Sequence, residues 1–155
     1  MKIITTEFDI VGTLLNNGSA VGGGGTTNIT NKSLNTGSTT DIAEIALPDN
    51  GQIGLFIAAL MYQDDGATNK DITCADYSVL ATADSSGNMY VGANSVNEVE
   101  AGTLGNAFIE ITFVADEANN KVTLRVTHTE GAYTPTTLKA NFIITSLDGT
   151  TITVL

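Results

Sequence analysis

In the last third of the chain, apolar side chains fall on every second residue: Ile109, Ile111 and Phe113, then Val122, Leu124 and Val126, then Leu138, Ala140, Phe142 and Ile144. Successive side chains of an extended chain point to opposite faces, so each set lies on one side of a strand. Polar segments, Glu117 to Asn120 and Gly131 to Pro135, separate the runs as turns. No stretch repeats its apolar residues at the ~3.6-residue period of an amphipathic helix.

The same pattern reaches back to Thr40. Ile42 to Leu47 reads as a strand that stops at the turn sequence Pro48 to Gly51. The next run, Gln52 to Tyr62, is apolar on both faces. That predicts a central strand covered by a facing sheet on one side and by a second layer or subunit on the other. Asp64, Asp65 and Gly66 end it. A strand from Ile72 to Thr82 leads through Asp84 to Asn88 into a short strand Met89 to Val91, as a hairpin. Gly92 to Asn106 is without pattern, and Asp148-Gly149 predicts a tight hairpin between the last two strands. About seven or eight short strands with frequent turns predict an all-β fold, an antiparallel β-sandwich that is jelly-roll-like.

The first 40 residues differ in kind. Residues 1–16 form an apolar arm carrying Ile3, Ile4, Phe8, Ile10, Val11, Leu14 and Leu15, more hydrophobic surface than a free tail should expose. Residues 17–40 are mostly Gly, Ser, Thr and Asn, with Gly22 to Gly25 consecutive, which reads as a flexible tether. Residues 41–155 are the sandwich. The interface candidates are the seven apolar residues of the arm together with Phe56, Leu60 and Tyr62 of the two-sided strand.

Charge narrows the partners. Six basic residues stand singly against 17 acids, for a net charge of −11. Such a surface repels phosphate backbones and anionic lipid, so neither nucleic acid nor a membrane is expected as a partner. No apolar run reaches the ~20 residues of a membrane-spanning helix. Cys74 is the one cysteine, which excludes an intrachain disulfide. The N-terminal residues lack the regions of a signal peptide, so folding in a reducing cytoplasm is expected.

Chemistry finds little to stand on. His128, the one histidine, continues the parity of Val122, Leu124 and Val126 and reads as a core or rim residue rather than a base. One Cys and one His are too few for a structural zinc site, which takes about four ligands. Asp64, Asp65, Asp71, Asp76 and Asp84 are dense enough to raise calcium, but their spacing lacks the loop pattern of an EF-hand and solvated turn carboxylates are the simpler reading. No nucleophile motif is present, Gly22 to Gly25 is not a phosphate loop, and without Trp there is no sugar platform. The expectation is a protein without catalytic residues, metal or cofactor.

The segment Thr39 to Gly51, the apolar strand after it, Ala75 to Val79, Val122 to Thr127 and Leu138 to Ile144 together resemble a β-domain recurrent in fibre and surface proteins of tailed bacteriophages. The chain departs from that pattern at Phe142, where the family often has Trp, and at Tyr62 to Asp65, where it often has Arg. The resemblance implies a jelly-roll-like sandwich, a homotrimer, and a place on the virion after synthesis in the host cytoplasm. On that basis the expected function is capsid decoration or head association. The arm would grip neighbouring copies, the major capsid protein or other virion subunits. The alternative expectation is a fibre or spike tip that binds a host receptor or glycan through exposed aromatic residues, for which Tyr62, Tyr90 and Tyr133 are the candidates.

Overall fold

The computed structural model describes residues 15–16, 19–20, 25–48, 51–102, 108–129, 134–146 and 150–155. Its strands are β1 (Leu15–Asn16), β2 (Ser19–Ala20), β3 (Thr26–Ser33), β4 (Thr39–Ala46), β5 (Gln52–Asp64), β6 (Lys70–Ala83), β7 (Met89–Gly102), β8 (Phe108–Asp116), β9 (Lys121–Thr129), β10 (Thr137–Ser146) and β11 (Ile152–Val154). A five-stranded antiparallel sheet, β3-β10-β5-β6-β7, packs on a four-stranded one, β11-β4-β9-β8, while β1 and β2 pair in a small ribbon. The all-β antiparallel sandwich expected from the alternation is the fold. Among the described residues, no helix is long and apolar enough to cross a membrane.

Period two decides which side chains meet between the sheets. Ile53, Leu55, Ile57, Ala59 and Met61 of β5 face inward, with Leu138, Ala140, Phe142 and Ile144 of β10 beside them. Val122, Leu124 and Val126 of β9, with Ile42, Ala43 and Ile45 of β4, close the core from the other sheet. Tyr77 of β6 meets Phe113 of β8 edge to face, with centroids 6.0 Å apart, joining the sheets near one side.

One device closes three of the turns. Asp65, Asp84 and Asp116 each use one carboxylate oxygen to accept backbone N–H bonds from residues two to four positions on, and the other to accept the side-chain amide of Asn69, Asn88 and Asn119 respectively. Gly66 (φ +79°) and Gly87 (φ +85°) supply the left-handed backbone in the first two.

Three expectations change. Thr26 to Ser33, expected as tether, form the edge strand β3, with Ile29 and Leu34 buried and Leu34 N–H donating to Leu138 C=O at 3.0 Å. β-Branched residues at 26, 27, 29 and 30 suit an edge strand, and averaging them with the neighbouring glycines concealed this. Residues 103–106 of the patternless stretch lie outside the described residues, and Gly92 to Gly102 form the second part of β7, paired with β6. Its residues are largely exposed, so no apolar alternation marks it. Finally, β10 and β11 lie in different sheets, β11 pairing with β4, so Asp148-Gly149 does not join two hairpin partners.

Candidate functional site

The two outward faces of the sandwich are unlike. On the four-stranded sheet, Arg125 of β9 donates to both oxygens of Asp41 across the strand pair, at 2.5 and 3.0 Å, and Lys121 donates to Glu44 at 2.7 Å. The guanidinium holds the Asp41 carboxyl below the usual carboxylate range. Thr112, Thr123 and Thr127 fill the positions between, with Glu110 and the exposed Val114 of β8 beside them. This is an ordinary solvated sheet face, and its partly exposed ion pairs add little stability.

On the five-stranded sheet large apolar side chains stand at outward positions among polar ones. Register places them in rows across the strands: Leu60, Cys74 and Val99; Ile143, Ala58 and Asp76; Thr145, Phe56 and Ser78; Tyr62 and Ile72; Leu80 between Gly54 and Gly92. Phe56 is 54% exposed, Ile143 50%, Val99 66% and Leu80 68%. The glycines beside Leu80 leave a trough of about 710 Å³ bounded by Gln52, Thr82 and Tyr90. A cluster of large exposed apolar side chains on one face is the kind of patch that interaction surfaces carry.

Phe56, Leu60 and Tyr62, named from the sequence, all lie on this face of β5, where the two-sided pattern placed them. One side of β5 is covered by the facing sheet; the other is left exposed by the described residues. Tyr62 is half-buried and its hydroxyl donates to Asn31 Oδ1 at 3.3 Å. Of the arm candidates, Ile3, Ile4, Phe8, Ile10, Val11 and Leu14 lie outside the described residues, and Leu15 is described only as a backbone position of β1. Sequence reasoning missed Ile72, Leu80, Val99 and Ile143. Their signal is parity: Ile143 is out of step with Leu138 to Ile144, and Ile72 and Leu80 are out of step with Ala75, Val79 and Ala81. Cys74, the cysteine noted in the sequence, is exposed on this face.

The candidate tyrosines Tyr62 and Tyr90 stand apart. Tyr90 lies opposite Thr82 and Gln52, whereas Tyr62 lies opposite Ile72, ten residues along β5, or roughly 34 Å at the rise of a strand. Tyr133 lies outside the described residues.

His128 is engaged by the fold at both nitrogens. Its ring is 2% exposed; Nδ1 accepts from Gly37 N–H at 3.0 Å and Nε2 lies 3.1 Å from Gln63 Oε1. A backbone N–H can only donate, so the proton sits on Nε2 and is donated to Gln63. The ring therefore ties the loop before β4 and strand β9 to β5. His128→Ala is expected to lower unfolding free energy by about 2–4 kcal/mol, since Gln63 and the Gly37 N–H lose their partner and a cavity opens. Urea unfolding measures this; a loss under ~0.5 kcal/mol, typical of a surface change, would contradict the pinned ring.

The aspartates considered for calcium separate. Asp64 and Asp65 belong to the turn at one end of β6, Asp84 to the turn at the other end. Asp64 pairs with Lys70 at 2.9 Å, and the side-chain amides of Asn69 and Asn88 hold the carboxyls of Asp65 and Asp84 below their usual range. Among the described residues, no three acidic, His or Cys side chains come together as a metal site would require.

No protein-family model matches the chain, and no curated protein matches it in sequence. In fold it is similar to the tailspike protein of Acinetobacter baumannii phage AM24, with a TM-score of 0.50 and 10% identity over 85% of this chain and 28% of that one. The tailspike protein of Acinetobacter phage vB_ApiP_P1 aligns at a TM-score of 0.40 and 13% identity over 99% of this chain and 25% of that one. The chain thus spans little more than a quarter of the length of the first of these proteins, and the likeness to it is one of fold.

Proposed function

We propose that the protein is a non-catalytic β-sandwich module of a bacteriophage tail spike or fibre. It associates with copies of itself through the apolar outer face of the five-stranded sheet and turns its polar face toward the host surface. The contrast between the two outer faces carries this reading. An all-solvated module would not gather Phe56, Leu60, Leu80, Val99 and Ile143 on one side. The fold likeness to a tailspike favours a tail position over capsid decoration, and the size of the match fits one module of such a protein. Three copies is the number the tailed-phage resemblance implies. Residues 1–16, with Ile3, Ile4, Phe8, Ile10, Val11, Leu14 and Leu15, would serve as the attachment to the rest of the virion.

Gold-labelled antibody against the purified chain, viewed by electron microscopy on intact particles, is expected to mark the tail. Light scattering of the full chain at micromolar concentration is expected to give an oligomer. Label confined to the head would overturn the spike reading, and a monodisperse monomer would overturn self-association.

A further inference from the structure

We infer that the apolar face is a contact between copies of this chain in which Asp76 of one copy lies against Lys139 of the next; the inference rests on the self-association proposed above. Beyond the Asp64–Lys70 pair at one end, Asp76 and Lys139 are the charged side chains on this face among the described residues. They are opposite in sign, both half-buried, and neither has an ion-pair partner among the described residues.

They cannot meet within one chain. Lys139 of β10 lies opposite Tyr62 of β5, and Asp76 of β6 lies opposite Ala58 of the same strand. Two strand spacings of ~4.8 Å and four residues of ~3.4 Å put them roughly 17 Å apart. Leu60 stands midway between them, on the strand between theirs. A neighbouring copy that approaches from the β10 side and sets its Lys139 on Asp76 passes over Leu60 and Ile143, and buries them.

The overall charge points to the same partner. A chain of net charge −11 repels a second copy wherever acids are in excess. On this face the charges balance, Asp64 with Lys70 and Asp76 with Lys139, so apolar burial proceeds without that repulsion. Any closed ring in which each copy offers Asp76 to the Lys139 of the next satisfies every one of these charges.

Charge reversal tests it. Asp76→Lys and Lys139→Asp are each expected to weaken self-association of the full chain by roughly tenfold or more, because each sets like charges together in the contact. The double variant, which restores opposite charges with their places exchanged, is expected to recover association to within about threefold of the unaltered chain. Sedimentation equilibrium reads the constants, and circular dichroism checks that each variant keeps its strands. If the unaltered chain is itself a monomer, self-association fails and the inference with it. If it associates but the single variants do so equally well, or the double variant does not recover, the Asp76–Lys139 contact is wrong while self-association stands.

Discussion

Replacing Phe142 with alanine is expected to lower the free energy of unfolding by about 3–5 kcal/mol, a third or more of the stability of an ordinary domain. The ring is 1% exposed, on the inner face of β10, with Ala59 of β5 and Ile29 of β3 as its cross-strand neighbours. Neighbours tied into two sheets cannot collapse into the space it leaves, so the cavity persists. The next residue gives the internal comparison. Ile143 is half-exposed on the outer face, and Ile143→Ala is expected to change the stability of the isolated chain by less than ~0.5 kcal/mol while weakening association. The chain has no Trp, so far-ultraviolet circular dichroism in urea, at concentrations low enough to dissociate oligomers, is the suitable readout. Equal losses for the two variants would mean that the inner and outer sides of β10 are wrongly assigned.

Truncation is the second large effect, and the cut site decides it. From the sequence alone, removing residues 1–38 should spare the sandwich, because the tether is read as ending at Thr40. The structure moves that boundary to Gly25. Removing residues 1–24 leaves β3 to β11 intact and is expected to give a cooperative unfolding transition. Removing residues 1–38 deletes β3 with the buried Ile29 and Leu34, and leaves that edge of β10 without its partner. Losing two buried aliphatic side chains costs about 2–5 kcal/mol each, which together approach the whole stability of a small domain. The longer truncation is expected to unfold or to melt without cooperativity. A melting temperature within a few degrees of the shorter form would show that β3 is dispensable. The shorter form is also the reagent for the proposed attachment role: it should fold yet fail to join particles, and unchanged incorporation would remove the arm from that role.

Alternation was enough to identify the strands whose two sides see different surroundings. Val122, Leu124 and Val126 face core and Thr123, Arg125 and Thr127 face solvent, so the period is written into the residue types. The same logic recovered β10 and the double-sided nature of β5, and through β5 the three residues of the candidate surface that the sequence named. It failed for β3 and for the second half of β7. In β3 the β-branched residues were averaged away among neighbouring glycines, and the second half of β7 is held by backbone hydrogen bonds to β6, which ask nothing of the side chain.

What belonged to the tertiary structure was pairing and sidedness. Asp148-Gly149 had the chemistry of a hairpin turn, yet β10 pairs with β3 and β5 while β11 crosses to β4, a choice made by which core each strand can enter. His128 was legible as an inner-face residue, but its bonds to Gly37 and Gln63 join positions 91 and 65 residues away, beyond the reach of local pattern. The apolar outer face is the clearest instance. Ile72, Leu80, Val99 and Ile143 stand far apart in the chain, each an unremarked hydrophobic residue in its own strand, and they form a surface once antiparallel register lays β10, β5, β6 and β7 side by side. A strand's own sequence says which residues share its faces; which faces join, and what remains uncovered, is settled when the sheets pack.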